Sequence, residues 1–171
     1  MNIEYEIELT RGKWAKFDAE DYDAIYSYQW RWNKSRMESG YAIACVSLGR
    51  VGAKWGVRRE RKSVTMHGLI SKLMGFVGEP DHINGDGLDN RRHNLRLATR
   101  TQQCQNRKAV TGSSKYKGVR LLGGKWQVRI KASGVSICLG SFLEECDAAQ
   151  AYNFAALEHF GEFARFNEVA A

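Results

Sequence analysis

The first third of the chain alternates apolar and polar residues with the period of two that is typical of strands. The segment "IEYEIEL" (3–9) predicts a strand, and "KWAKF" (13–17) predicts its hairpin partner. A short helix is expected over "AEDYDAIYSY", with Asp18 as its cap. Two more strands are expected at 41–48 and 61–67, with a loop or a basic hairpin tip between them.

The apolar spacing becomes helical in "HGLISKLMG" (67–75), which predicts one amphipathic helix closed by Gly75. The stretch that follows, residues 80–106, is mostly polar. Within it "DHI" predicts a strand, "NGDG" a turn and "NLRLAT" a returning strand. Thr99 or Thr101 can then cap a helix through "QQCQNRK".

The polar segment "KAVTGSSK" (108–115) predicts a linker between two domains. Beyond it, "YKGVRL", "KWQVRIK" and "VSICLG" predict strands, and 143–161 predicts one amphipathic helix. We therefore expect an α+β fold. A β-rich leader over 1–66 leads into a strand–strand–helix core over 67–107, and 116–171 form a small three-stranded antiparallel sheet packed on one helix.

Positive charge is concentrated in one part of the chain. Residues 91–133 contain twelve basic and no acidic residues, in a protein of net charge +7. Tyr116 and Trp126 interleave with the basic residues, which favours an ordered surface for a polyanion over a merely solvated one.

Other features of the composition exclude some classes of protein. The chain has no run of 18 apolar residues, and its acidic, alternating start does not resemble a signal peptide. Its four cysteines form no CxxC pair, which favours reduced thiols over disulfides or zinc. We expect a cytoplasmic protein with no membrane association.

The pair Asp81–His82 is the strongest candidate for chemistry. The Asp81 carboxylate is a hard ligand suited to one Mg²⁺ or Mn²⁺ ion. Neighbours on a strand point to opposite faces, so His82 would have a separate role as the general base that activates water. Asn94 could fix the loop or orient the imidazole, and Arg91, Arg92, Arg96 and Arg100 could clamp phosphates or simply be solvated.

Simpler roles are expected for the other polar residues around this pair. His67, ahead of the motif, is expected to serve in packing. The remaining polar residues of the loop are typical of turns and are expected to shape it rather than to bind a ligand: Asn84, Asp86, Asp89 and Asn90.

The pattern "DHINGD…LDNR…NLR…T…N" closely resembles the HNH endonuclease motif of phage and bacterial homing endonucleases, with a ββα-metal fold. The resemblance implies that Asp81 is a metal ligand, that His82 is the general base, and that Asn94 is the middle residue of the motif. The last motif position, a second metal ligand that is usually His or Asn, is Gln103 here. Gln103 offers the same amide oxygen on a longer side chain.

The C-terminal module has a polar sheet face suited to reading a DNA groove. In "KWQVRIK", Gln127, Arg129 and Lys131 share one face, opposite Trp126, Val128 and Ile130, which would pack on the helix. Lys117, Arg120 and Lys125 from neighbouring segments would join the DNA-facing side, although all of these residues could serve solubility alone.

Residues 114–167 resemble the ethylene-response-factor (Apetala-two) type of DNA-binding domain, through "SKYKGVR", "GKWQVRI", "LGSF" and "AAQAYNFAALEHFGEFARFN". The resemblance implies that Lys117, Arg120, Lys125 and Lys131 contact DNA. The family has an acidic residue near Arg129 and a Trp near Cys138, so its base preference cannot be transferred.

These resemblances predict a site-directed, sequence-tolerant homing endonuclease that hydrolyses phosphodiester bonds in double-stranded DNA with a divalent metal. It would act in a bacterial or phage-infected cell, and it would nick DNA as a monomer without a protein partner. The main alternative is a sequence-specific DNA-binding regulator with an inactive HNH centre, which Gln103 favours. A zinc-stabilised RNA-binding protein is disfavoured because no cysteines are paired.

Overall fold

Small antiparallel sheets joined by short helices make up the chain, which confirms the predicted α+β class. The computed structural model describes residues 3–34, 40–53, 56–108 and 112–169, with the backbone alone at the described positions within 51–59. The chain divides into two compact units, Met1–Ala98 and Thr99–Ala171. The domain boundary at 107/108 and the linker at 108–115 stay predictions.

The first unit begins with the predicted hairpin, in which β1 (Glu4–Leu9) pairs antiparallel with β2 (Lys13–Asp18). The short helix expected after β2 is present as α1 (Tyr22–Tyr26), and a 3₁₀ turn, Ala19–Asp21, precedes it. Asp18 as the helix cap is wrong, because its side chain makes no capping bond. Its Oδ2 accepts a hydrogen bond from the backbone nitrogen of Arg92 at 2.7 Å instead.

The next sheet has the strand order β3 (Arg31–Asn33), β4 (Tyr41–Ala53), β5 (Gly56–Thr65). The last two strands are longer than the predicted 41–48 and 61–67. Their pairing continues outward to Ala53↔Gly56. Of the two alternatives for this segment, a loop or a hairpin tip, the pairing favours the hairpin. Residues 54 and 55, in the predicted tip, lie outside the described residues.

The helix α2 (Met66–Leu73) follows β5 at once, and Thr65 caps it by accepting a hydrogen bond from the Gly68 nitrogen. Then β6 (Pro80–His82) and β7 (Leu95–Leu97) pair antiparallel. The core of this unit is a cluster of buried apolar side chains that includes Phe17, Ile25, Met66 and Ile70. It anchors the strands that carry the polar stretch.

The second unit begins with α3 (Arg100–Gln105), which Thr99 caps with a full capping box to Gln102. Three strands follow, β8 (Val119–Leu122), β9 (Lys125–Ala132) and β10 (Val135–Phe142), with β9 in the centre. The helix α4 (Glu145–Phe160) packs its alanines and Tyr152 on the sheet. Val128 and Ile130 of β9 are buried in that core, as the alternation predicts.

All four cysteines are free thiols, in agreement with the absence of paired cysteines in the sequence. No helix in the described part of the chain is both long enough and apolar enough to span a membrane.

Candidate active site

The short hairpin β6–β7 places the Asp81 carboxylate beside a guanidinium group. Asp81 and Arg96 are cross-strand partners, and Arg96 Nη2 lies 3.4 Å from Asp81 Oδ2. The two side chains are 15% and 12% exposed, so both are largely shielded from solvent. The pair therefore places a guanidinium group directly beside the candidate metal-binding carboxylate.

His82 is buried beside Asp81, at 6% exposure. Its Nε2 lies 3.3 Å from Asn90 Oδ1. Burial is the main influence on this ring and lowers the pKa of His82, while the Asn90 hydrogen bond and the carboxylates of Asp81, Asp86 and Asp89 act in the opposite direction. The imidazole is therefore neutral near pH 7, which is the form that can accept a proton.

Asn94 holds the loop of the motif. Its Oδ1 accepts a hydrogen bond from the Asn84 nitrogen at 3.0 Å, and its Nδ2 donates to Asn84 Oδ1 at 3.0 Å and to the Asp89 carbonyl oxygen at 2.7 Å. Of the two roles expected for Asn94, these contacts support fixing the loop. The hydrogen-bond partner of the imidazole is Asn90, whose Oδ1 lies beside Nε2 and for which the sequence predicts only the role of a turn residue.

Two aromatic rings lie beside His82. The ring of His67 meets it edge-on at a centroid distance of 5.0 Å, and the ring of Tyr41 lies 6.0 Å from it. His67 Nδ1 is a buried atom with no hydrogen-bond partner among the residues that the structure describes, and burial lowers the pKa of His67 to about 3. These contacts agree with the packing role that the sequence predicts for His67.

Arg91 and Arg92, which the sequence predicts as phosphate contacts, are engaged by carboxylates within the first unit. Arg91 Nε lies 2.7 Å from Asp89 Oδ1, and Arg91 Nη1 lies 2.6 Å from Glu4 Oε1. Arg92 makes a two-point contact with Asp21. These partners favour a structural role, and DNA contact by either arginine stays a prediction.

The remaining predicted residues lie in the second unit. Gln103 and the exposed Arg100 are on α3. Arg120 donates twice to Gln127 Oε1, at 3.0 and 2.6 Å, and the other outward side chains of β9 are exposed: Lys125, Arg129 and Lys131. Lys117 is half-buried, and its Nζ donates to the Gln105 carbonyl oxygen.

Comparison with known proteins identifies the polar stretch. The model of the HNH endonuclease family matches residues 78–105, which contain Asp81, His82, Asn90 and Asn94. The chain is also 31% identical to an uncharacterized HNH endonuclease, L560, of Acanthamoeba polyphaga mimivirus, over 98% of this chain and 83% of that protein. The chain belongs to the HNH endonuclease family. Membership of this family implies a nuclease that acts on DNA.

HNH endonucleases generally depend on a divalent metal, and the donor chemistry around Asp81 fits one. Among the described residues, no three His, Cys, Asp or Glu side chains converge into a metal site. A hard cation such as Mg²⁺ does not require such a set, since it is commonly held by one or two carboxylates, with water and substrate phosphate as further ligands. Asp81 would supply the carboxylate in this HNH endonuclease.

Proposed function

We propose that this HNH endonuclease is a site-directed homing endonuclease that hydrolyses phosphodiester bonds in double-stranded DNA with a divalent metal. The observation that carries the proposal is the geometry of His82. Its imidazole is buried, neutral and held at Nε2 by Asn90, on the same strand as Asp81. A neutral, oriented imidazole beside a carboxylate is suited to general-base catalysis at near-neutral pH.

In the proposed reaction, His82 takes a proton from a water molecule that attacks the scissile phosphate. Asp81 would hold one Mg²⁺ or Mn²⁺ ion, with Gln103 as the second protein ligand that the motif predicts. A bound dication stabilises negative charge on the phosphate and on the leaving oxygen. Arg96, which lies beside Asp81, would bind a phosphate oxygen once that carboxylate has another cation as partner.

The second unit would deliver the nuclease to its site as a DNA-binding module of the ethylene-response-factor type. Its three-stranded antiparallel sheet presents Arg129 and Lys131 on the exposed face, opposite the apolar face against α4. Arg120 and Gln127 hydrogen-bond to each other on neighbouring strands, so they would present a joined pair of polar groups to a groove. This arrangement supports readout by a sheet.

One set of catalytic residues per chain favours nicking of a single strand by a monomer. Supercoiled plasmid separates the outcomes, because a nick relaxes it and a double-strand break makes it linear. Cleavage that rises with the square of protein concentration would contradict the monomer.

The test of the proposed function is His82→Ala. We expect it to abolish plasmid relaxation with Mg²⁺ or Mn²⁺ and to leave DNA affinity unchanged, since the second unit keeps its surface. His93→Ala is the matched control, because His93 is exposed on the same motif and should retain activity. Cleavage that persists in His82→Ala would remove the general-base role.

The alternative function is a DNA-binding regulator, and Gln103 is the specific observation that favours it. If the wild-type protein binds DNA but never cuts it with either metal, the alternative is supported. Gln103→Asn then restores the usual amide ligand of the family, and gain of nicking in that variant would identify position 103 as the cause.

A further inference from the structure

The amide of Asn90 is fully buried, at 0% exposure, in the segment between Leu88 and Arg91. A polar side chain in such a place must satisfy its donor and its acceptor within the protein. Asn90 Nδ2 donates to the Leu88 carbonyl oxygen at 3.1 Å, and Asn90 Oδ1 lies 3.3 Å from His82 Nε2. The first bond fixes the amide, so that its oxygen faces the imidazole.

This orientation decides where the proton lies on a neutral His82 ring. Asn90 Oδ1 can only accept a hydrogen bond, so Nε2 must carry the hydrogen. The lone pair of the neutral ring is then on Nδ1. The opposite tautomer would place two lone pairs against each other in a buried site, which is costly.

The leader hairpin holds Asn90 in place through its backbone. On strand β2, Lys16 donates from its nitrogen to the Leu88 carbonyl oxygen and accepts at its carbonyl oxygen from the Asn90 nitrogen, both at 2.8 Å. These bonds form an isolated parallel bridge between Lys16 and Asp89. Leu88 and Asn90 are therefore both tied to a strand that lies far away in the sequence.

We propose that Asn90 is the positioning residue of the nuclease centre. It selects the Nε2–H tautomer of His82 and so presents Nδ1 to the attacking water, and β2 keeps the amide in register. In this reaction Nδ1 gains the water proton, Nε2 keeps its own, and Asn90 Oδ1 stabilises the resulting imidazolium. The proposal rests on the proposed function of His82 as the general base.

Two substitutions separate positioning from a purely structural role. Asn90→Ala removes the acceptor, and we expect kcat to fall by about 10²- to 10⁴-fold, the range of general-base catalysis, with KM and DNA affinity nearly unchanged. Asn90→Asp keeps an oxygen at the Oδ1 position, so it should retain kcat within about tenfold of the wild type even where its stability is lower.

A readout that needs no cleavage is the position of the proton itself. Long-range ¹H–¹⁵N spectra of the metal-free protein distinguish the two imidazole tautomers, and with four histidines in the chain His82 can be assigned from its own substitution. We expect Nε2–H in the wild type and in Asn90→Asp, and a mixture of tautomers in Asn90→Ala.

Each result supports or overturns the proposal. Nδ1–H as the main form of the wild type would overturn it, as would a folded Asn90→Ala that keeps its kcat. If Asn90→Ala does not fold, an Asn90→Asp variant that is folded but as inactive as His82→Ala would also overturn it. If the wild type never cleaves DNA, the proposed function fails, but the tautomer in the spectra still decides whether Asn90 positions the ring.

Discussion

Arg92 and Asp21 form a two-point ion pair between the HNH motif and the leader. Arg92 Nε lies 3.0 Å from Asp21 Oδ2, and Arg92 Nη2 lies 2.7 Å from Asp21 Oδ1, with Asp21 at 0% exposure. A fork of this kind satisfies both oxygens of a carboxylate that has no access to water. The pair makes the leader part of the nuclease fold rather than an appended segment.

Arg92→Ala should therefore act on stability. Removing the guanidinium leaves a buried carboxylate without its charged partner, and we expect the free energy of unfolding to fall by about 2–4 kcal/mol. Urea unfolding measures this loss. The double variant Arg92→Ala/Asp21→Leu should recover part of the lost stability, because it no longer buries an unpaired carboxylate. If Arg92→Ala kept its stability and lost DNA affinity instead, that result would favour phosphate contact over a structural role for Arg92.

Gly87→Ala should disturb the contact between the motif loop and β4. A Cβ at this position would overlap the Gly40 carbonyl oxygen and lie 2.6 Å from the Tyr41 ring. We expect a loss of about 1–3 kcal/mol in the free energy of unfolding and a lower rate of DNA cleavage, because Tyr41 also lies beside His82. Gly87→Val should lower the free energy of unfolding further, and thermal melts of both variants would show which one is less stable.

The buried His67 ring should make the protein sensitive to acid. Burial lowers the pKa of His67 from 6.5 to about 3, so between these values the unfolded chain binds more protons than the folded one. The free energy of unfolding therefore decreases as the pH falls below 6.5, by about 1–2 kcal/mol near pH 5.

Urea unfolding at about pH 7.5 and pH 5 tests this effect of His67. His67→Leu removes the titrating group and should lose less stability over that interval than the wild type. An equal loss in both proteins would contradict the prediction.

Lys117 should make the stability of the second unit depend on pH in the alkaline range. Burial lowers the pKa of Lys117 from 10.5 to about 8, so between these values the unfolded chain again binds more protons. Stability should rise as the pH increases through this window, by roughly 1–2 kcal/mol once partial solvent access is allowed for. Lys117→Met should lack the rise, and its DNA affinity shows whether Nζ also contacts phosphate.

Arg129 and Lys131 should contribute to DNA affinity mainly through charge. Replacing either by Ala is expected to reduce the slope of log affinity against log salt by about 0.9 for each phosphate that is no longer neutralised. Fluorescence anisotropy without added metal measures this slope while cleavage is suppressed. Lys72→Ala, an exposed substitution on α2, is the control that should leave the slope unchanged.

Periodicity in the sequence predicts the regular elements well. The alternation of "KWQVRIK" gives the buried and exposed faces of β9, and the helical stripe after Thr65 gives α2. These elements depend on the spacing of apolar residues that are close together in the sequence, so a single sequence is enough to predict them.

The periodic pattern of apolar and polar residues does not predict contacts between residues that are distant in the sequence. Asp18 has the residue type and position of a helix cap, but its carboxylate accepts from Arg92, 74 positions away. Asn90 is of a residue type typical of turns, but it is completely buried and its backbone nitrogen donates to Lys16 of β2. Local polarity therefore locates the nuclease motif without showing which of its amides touches the imidazole.

The bridge between Lys16 and Asp89 has a consequence for exchanging parts among nucleases. Both of its hydrogen bonds use main-chain atoms, so almost any amino acid at position 16 preserves them. Natural variation at position 16 can thus be wide while the path of β2 is retained. A graft that transfers residues 78–105 alone into another scaffold would lack this bridge to β2. We expect such a graft to keep the motif sequence but to hold the His82 imidazole in the wrong orientation.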